Sequence, residues 1–279
     1  MSAKCIPVPN FVGETIALNN TKFFFLFCPN HSGTTVLSQY LASQIDGYLP
    51  PFENNEGQMV PEVKGMMRNR PWAEDQSFDW GYIRQCWERL AKRQTFVEAS
   101  PPNLIRTEGI RAVFGFDSSA IVSVCNPYQH ISSVYRRNPS VLHKGTKVWI
   151  RKAREIIRIR QSYPFFPFIS YEEFVARPTV LNERLQVPFK EAVISGKRGS
   201  GISGIRSGFY RGLGFLKPDE VRDISALLDE ASDVMAYFGY ALGGPEILGA
   251  ARERAPEEFQ IGIEKRAQWD RRLSAERDG

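Results

Sequence analysis

One segment of the chain combines residue types that suit the binding of a phosphate. Residues 23–41 read FFFLFCPNHSGTTVLSQYL, an apolar run followed by a turn and the start of a helical pattern. Gly33 allows close backbone approach to a ligand, and Thr34 and Thr35 stand where the helix begins. The first N–H groups of a helix have no partners within it, and the helix dipole favours an anion there. The segment therefore predicts an anion site; its alternative is an ordinary strand-to-helix turn with a threonine N-cap.

The same segment lacks the residues that a nucleoside triphosphatase needs. The pattern GxxxxGK[ST] requires glycine where Cys28 stands and lysine where Thr34 stands. The later apolar run AIVSVC is followed by Asn126, not by an aspartate that would hold Mg²⁺. A single 5′-phosphate, bound without an obligatory metal, fits these residues better than ATP does.

The elements that must position this segment are short buried strands alternating with helices. Four apolar or β-branched runs are typical of such strands: Lys22–Cys28, Thr95–Glu98, Ala120–Cys125 and Phe165–Tyr171. Helical periodicity covers Gly33–Ile45, Phe78–Arg93 and Pro218–Phe238, whereas glycine-rich Ser195–Phe215 predicts an ordered loop. The alternation predicts an α/β fold of three layers, α/β/α, with a central parallel sheet and ligands beyond the carboxyl ends of its strands.

Composition limits the remaining classes of protein. The 279 residues are 42% hydrophobic and 24% charged, which predicts one globular domain over 1–245 and a charged, helical extension over 246–279. The net charge of +5 favours anionic ligands without locating them. The basic residues are interspersed with acidic ones and form no recognised nucleic-acid motif, so no nucleic-acid partner is expected.

Cysteine spacing and hydropathy also argue against several kinds of site. The cysteines lack CxxC spacing, which indicates neither a zinc site nor a disulfide framework; they are Cys5, Cys28, Cys86 and Cys125. The apolar run Phe23–Cys28 is far shorter than the roughly 20 residues of a membrane helix, and residues 1–20 contain no signal-peptide pattern. We expect a cytoplasmic protein that binds no membrane and requires no metal.

The segment PNHSGTT resembles the P-[KR]-S-G-T-T loop of sulfotransferases that use 3′-phosphoadenosine 5′-phosphosulfate (PAPS). The resemblance implies that the loop lines the 5′-phosphate through Ser32, Gly33, Thr34 and Thr35. It departs from the family at His31, which replaces a lysine or arginine, and by one additional residue after Pro29. As an imidazolium, His31 would stabilise charge that develops on the leaving phosphate; the alternative is a histidine that only caps or packs.

Two further segments resemble the family's site for the 3′-phosphate. IVSVCNPYQHISSVYRR is similar to R-[ND]-P-x(5)-S-x-Y and implies Asn126 and Ser133 as ligands, although Cys125 stands where many members have arginine. Ser133 lies about two helical turns after Pro127, so its hydroxyl can face a ligand at the strand end. GKRGSGISGIRSGF is similar to the late RKG segment, and the residues carried over from it are Lys197, Arg198 and Gly199.

The resembling segments occur in the order expected for a P-loop-like sulfotransferase fold, of a bacterial type or of a carbohydrate or tyrosylprotein branch. FVEASPPNLIR is similar to EKSPxY…R, with Ala99 in place of lysine, and FISYEEFVARPTVLNERL is similar to YExLxxDPxxxLxxL. The resemblance implies metal-independent sulfuryl transfer from PAPS to a hydroxyl or amine of a small molecule such as a natural product. The alternatives are a glycan or lipid-linked sugar acceptor, a small-molecule kinase on a degenerate P-loop, and a non-enzymatic nucleotide-binding module.

A carboxylate is the predicted catalytic base. NEGQMVP resembles the GEETRVIP stretch in which tyrosylprotein sulfotransferases keep a catalytic glutamate, which implies Glu56. Desolvation by a bound acceptor would raise its pKa toward the working range. Glu53, Glu62 and His31 remain alternatives, and most surface glutamates are simply solvated.

Overall fold

The computed structural model describes residues 21–68, 72, 78–92, 94–115, 118–138, 141–191, 195–196, 199–200 and 209–278. Its central sheet has four parallel strands in the order β2-β1-β3-β4. These strands are β1 Phe23–Phe27, β2 Phe96–Glu98, β3 Ser118–Val124 and β4 Phe168–Ser170. A separate antiparallel pair is formed by β5 Ser195–Gly196 and β6 Gly199–Ser200.

Helices connect the strands and cover the sheet. The first eight are α1 Thr34–Ile45, α2 Pro61–Arg68, α3 Trp80–Ala91, α4 Thr107–Phe114, α5 Pro127–Tyr135, α6 Leu142–Ser162, α7 Tyr171–Ala176 and α8 Val180–Leu185. They are followed by α9 Phe209–Phe215, α10 Pro218–Asp229, α11 Ser232–Phe238, α12 Ile247–Arg254 and α13 Pro256–Asp278. Short 3-10 helices cover Glu53–Asn55, Gly57–Met59 and Pro101–Ile105. Within the described ranges, none of the helices combines the length and apolar character needed to cross a membrane.

The all-apolar sequence of β1 explains its central position in the sheet. Successive side chains of a strand point to opposite faces. Phe23, Phe25 and Phe27 therefore pack on the face covered by α3, α4 and α6, and Phe24 and Leu26 pack on the face covered by α1, α7 and α8. The predicted three-layer α/β/α fold with a parallel sheet is confirmed.

Two predicted elements differ from the structure. The predicted helix Pro218–Phe238 is two helices, because Ala231 leaves the helical region at φ −125° and ψ 38°. The predicted loop Ser195–Phe215 ends in helix α9, whose glycines serve packing: a Cβ on Gly212 would lie 2.4 Å from the Ser132 hydroxyl, and one on Gly214 would lie 2.1 Å from the Phe259 carbonyl.

The C-terminal helix α13 lies against α9 and is held there by a buried ion pair. Arg266 Nη1 donates to Glu220 Oε2 at 2.8 Å and to the Phe215 carbonyl at 3.2 Å. A Cβ on Gly262 would lie 2.3 Å from the Arg211 carbonyl, so the two helices meet at their backbones. The boundary of the sequence-defined domain at residue 245 stays a prediction.

We expect Arg266→Met to lower the free energy of unfolding by about 3 kcal/mol, because it leaves the buried Glu220 carboxylate without its cation. Urea unfolding followed by circular dichroism measures this change. Asp270→Asn is the matched control, since Asp270 pairs with Arg266 from a more exposed position and should cost less than about 1 kcal/mol. Equal losses in the two variants would contradict the assignment.

Candidate functional site

The candidate site lies at the edge of the sheet where β1 and β3 end. The two strands are parallel neighbours, with Phe27 paired to Val122, so the loops that follow them come together. Cys125 Sγ lies 3.2 Å from Ser32 Oγ, which joins the second predicted loop to the first. Two segments that are distant in sequence therefore form one region.

The first loop requires glycine at position 33 for two reasons. Gly33 has φ 75°, in the left-handed region that favours glycine, and its carbonyl accepts from Leu37 N at 2.9 Å to begin α1. A Cβ on Gly33 would also lie 2.0 Å from the ring of buried Tyr171. A larger residue at this position is therefore strained before any ligand binds.

The hydroxyl groups of Ser32 and Thr34 bond within the protein. Thr34 Oγ1 lies 3.3 Å from Cys28 Sγ and 3.4 Å from the Pro29 carbonyl, and Ser32 is fully buried. The first N–H groups of α1, which have no partners within the helix, are what its start offers to an anion. The roles of Ser32, Gly33, Thr34 and Thr35 as donor ligands stay predictions.

Lys152 of α6 supplies a cation to this loop and was missed by the sequence reasoning. It is only 3% exposed, donates to Asn30 Oδ1, and has its ammonium 4.1 Å from the centre of the Trp72 ring. Burial lowers its pKa to about 7, and the neighbouring charge of Arg151 adds to this. The available signal was a lysine three residues after buried Trp149, on the apolar face of a helix.

The two histidines beside Lys152 are neutral at pH 7. Burial lowers the pKa of His31 to about 4, and the charges of Arg137, Lys152 and Arg136 add to the shift. His130 is fully buried, and the centre of its ring lies 5.9 Å from the centre of the His31 ring. Burial lowers the pKa of His130 well below the usual range. Without a ligand, His31 is therefore a neutral imidazole in a positive environment, and its role beside a leaving phosphate stays a prediction.

The loop after β3 is held by a half-buried carboxylate. Asn126 N donates to Glu172 Oε1 at 2.8 Å, and Tyr240 OH donates to Glu172 Oε2 at 3.0 Å. Asn126 is itself the N-cap of α5, because its side-chain oxygen accepts from Tyr128 N at 3.0 Å. The Asn126 side chain is thus already bonded within the protein, and its role as a donor ligand stays a prediction.

Ser133 lies on α5 beside two arginines that follow the helix. Arg136 Nη2 lies 3.5 Å from Ser133 Oγ, and Arg137 Nη1 lies 3.4 Å from His31 Nε2. Ser133, Arg136 and Arg137 also line one cavity of about 350 Å³. Arg137 therefore connects the first loop to the surroundings of Ser133.

Part of the predicted basic loop lies outside the described residues. Lys197 and Arg198 are among the residues that the structure does not describe, so their predicted roles stay predictions. Gly199 lies in β6, where it pairs with Gly196 of β5.

Glu56 is the most buried of the three predicted loop carboxylates. It is half-buried between two 3-10 helices, whereas Glu53 and Glu62 are exposed. Burial raises its pKa, and the charge of Glu53 adds to the rise. Gln39 Nε2 of α1 donates to Asn55 Oδ1 at 3.3 Å, which sets the loop that carries Glu56 against the helix that follows the first loop.

Glu98 holds the backbone beside Glu56 in place. Its carboxyl accepts from Gly57 N at 2.7 Å, from Ser100 N at 2.9 Å and from Asn103 Nδ2 at 2.9 Å. Glu98 is 1% exposed, and burial raises its pKa to about 7. The hydrogen bonds from Ser100 and Gly57 lower the pKa but do not offset the effect of burial. Glu98 is a positioning residue, because it joins Gly57 of the loop that carries Glu56 to Ser100 and Asn103 of the turn that follows β2.

The sequence matches no protein-family model and no curated protein. Among solved structures, the chain is similar to three sulfotransferases. The sulfotransferase domain from the curacin biosynthetic pathway is 18% identical, with 80% of this chain and 99% of that chain covered and a TM-score of 0.45. The sulfotransferase domain from the Synechococcus PCC 7002 olefin synthase is 18% identical, with coverages of 65% and 78% and a TM-score of 0.42. The sulfotransferase from Alicyclobacillus acidocaldarius is 14% identical, with coverages of 82% and 98% and a TM-score of 0.49.

The burial of Lys152 predicts a pH-dependent effect on stability. Its pKa is about 7 in the folded protein and about 10.5 in the unfolded chain, so only the unfolded chain is protonated between these values. Burial of Lys152 therefore costs no stability above about pH 10.5, where the lysine is neutral in both states. The cost grows as the pH falls to about 7, because only the unfolded chain gains the proton. We expect Lys152→Met to raise the urea midpoint at pH 7 and to raise it less at pH 9.5.

Lys147→Met is the matched control, because Lys147 is an exposed lysine on the same helix and its replacement should leave the midpoint nearly unchanged at both pH values. A Lys152→Met variant less stable than the parent protein at pH 7 would show that the lysine serves the fold instead.

Proposed function

We propose that this protein transfers a sulfuryl group from PAPS to a hydroxyl or amine of a small-molecule acceptor. The observation that carries the proposal is the position of Arg137, which contacts His31 of the first loop and also lines the cavity beside Ser133. PAPS bears anionic groups at its 5′ and 3′ ends, and two electropositive regions joined in this way suit a ligand of that kind.

The proposed donor contacts divide between the two regions. The N–H groups at the start of α1 and the Lys152 ammonium would face the 5′-phosphosulfate, because they surround the first loop. Ser133 would face the 3′-phosphate together with Lys197, Arg198 and Gly199, by the resemblance. Charge-assisted hydrogen bonds of this type are stronger than neutral ones.

The proposed reaction is an in-line transfer in which Glu56 acts as the general base. Glu56 takes the proton of the acceptor as the new bond to sulfur forms, while the bridging S–O bond breaks and its electron pair remains on the phosphate. Lys152 in its protonated form stabilises that developing charge, and His31 donates a hydrogen bond to it. No step in this proposal requires a metal or redox chemistry.

Binding of 3′-phosphoadenosine 5′-phosphate, the product of PAPS, tests the proposal directly. We expect isothermal titration to detect its binding in EDTA, with no gain on adding Mg²⁺, because protein cations provide the charge. At pH 8 binding should take up about one proton as Lys152 becomes charged, measured from the dependence of the heat on buffer ionisation. Binding of ATP with Mg²⁺ alone would instead indicate a kinase, and binding of neither nucleotide would reject both activities.

Turnover by Glu56 variants tests the base. Glu56→Gln keeps the shape and removes the basicity, so kcat should fall on the order of 100-fold while affinity for 3′-phosphoadenosine 5′-phosphate stays nearly constant. Release of that product during acceptor screening provides the assay. Glu53→Gln and Glu62→Gln are exposed controls that should retain turnover; a dead Glu53→Gln beside an active Glu56→Gln would move the base to Glu53.

A further inference from the structure

The additional residue of the first loop lies beside a buried cation. Asn30 follows Pro29, and its side-chain oxygen accepts a hydrogen bond from the ammonium of Lys152. Lys152 belongs to α6, 122 residues further along the chain, and is only 3% exposed. Burying an ammonium is costly unless its N–H donors find partners, so the Asn30 oxygen offsets part of the cost of placing a lysine here.

No carboxylate neutralises this lysine within the part of the chain that the structure describes. Its second contact is the ring of half-buried Trp72, whose centre lies 4.1 Å from the ammonium nitrogen. The face of an aromatic ring attracts a cation, and an amide oxygen accepts from it, but neither partner carries a negative charge. The ammonium is therefore held in place while its positive charge stays available to an anion.

The backbone next to Asn30 has a conformation that few residues with a side chain adopt. His31 has φ 62°, in the left-handed region. Backbone strain of this kind persists only where the surrounding structure holds it, and it is frequent at binding sites. With this turn, the Asn30 side chain reaches α6, and the Ser32 hydroxyl reaches Cys125 at the end of β3.

We propose that Asn30 is a positioning residue that holds the Lys152 ammonium against the first loop, with the Trp72 ring as a second support. The inference rests on the proposed function and deepens it, because it assigns the origin of the positive charge at this loop. The resembling loops have a lysine or arginine directly before the serine, whereas this chain has His31 there and Asn30 before it. A lysine of α6 replaces the cation that the loop lacks, and Asn30 joins the two elements.

The groups around the ammonium predict how a negative charge at position 30 would act on it. Burial lowers the pKa of Lys152 to about 7, and the charge of Arg151 adds to this. The other titratable neighbours are uncharged because they are buried: Cys28, Cys125, His31 and His130. A carboxylate at position 30 would oppose the effects of burial and of Arg151 and would raise the pKa of Lys152.

Nuclear magnetic resonance of the lysine side chains tests the contact directly. In protein with isotope-labelled lysine, Lys152→Met identifies the Cε signal of Lys152, whose titration gives the pKa. Asn30→Asp should move the midpoint upward by about 1 to 2 pH units, and Asn30→Leu should not raise it. Gln186→Glu is the matched control, because Gln186 is exposed and lines a cavity at the other edge of the sheet, beside Phe23 at the start of β1. It adds the same charge and should leave the midpoint unchanged.

Nucleotide binding connects the contact to the proposed donor site. The parent protein should take up about one proton on binding 3′-phosphoadenosine 5′-phosphate at pH 8, and Asn30→Asp should take up clearly less, because its Lys152 is already charged. Asn30→Leu should bind the nucleotide on the order of tenfold more weakly at pH 7, since the ammonium is no longer held. Gln186→Glu should match the parent protein in both measurements.

The outcomes separate this inference from the proposed function. A midpoint that is the same in Asn30→Asp and in the parent protein would show that Asn30 does not hold the ammonium. Equal shifts in Asn30→Asp and Gln186→Glu would also overturn the inference, because they would reflect net charge alone. If the parent protein binds the nucleotide and Asn30→Leu binds it equally well, the positioning role fails while the proposed function stands. No binding by the parent protein would reject the proposed function and the role of Asn30 toward the donor with it.

Discussion

The parallel pairing of β1 with β3 is the constraint on which the candidate site depends. Parallel neighbours end at the same edge of a sheet, so the loop containing Gly33 and the turn at Asn126 meet there. Both loops are then held by side chains from α7: the Tyr171 ring covers Gly33, and Glu172 accepts from Asn126 N. A change in strand order would separate the loops and disperse the positive charge around them.

Positive charge at this edge is maintained against the cost of burial. Lys152 is nearly inaccessible, and its pKa is lowered to about 7, while His31 and His130 are held neutral by burial and by nearby cations. A bound anion would favour the charged form of Lys152 and reverse part of that shift. Binding of an anion here would therefore relieve an unfavourable feature of the folded protein, as is common where binding takes precedence over stability.

The carboxylates at the same edge have separate tasks that their surroundings distinguish. Glu98 accepts three N–H donors and holds the turn at Gly57, so its role is to position that loop. Glu56 accepts from the amide of Gln58 and remains half-buried. Burial raises the pKa of both groups, but only Glu56 combines that shift with partial exposure.

Local sequence patterns by themselves determined the α/β class, the strand at Phe23–Phe27 and the turn at Gly33, because hydrophobic periodicity and glycine placement act over a few residues. Only the tertiary structure decided which charges surround the turn. Lys152 contacts Asn30, which is 122 residues away in the sequence, and Arg137 contacts His31, which is 106 residues away. Helix α13 places Lys265 and Arg272 in the cavity that Ser133 also lines. The same packing buries His31 among cations and keeps it neutral, against the expectation from its residue type. Such contacts depend on how the helices pack on the sheet and on one another. The spacing of residues along the chain does not determine that packing.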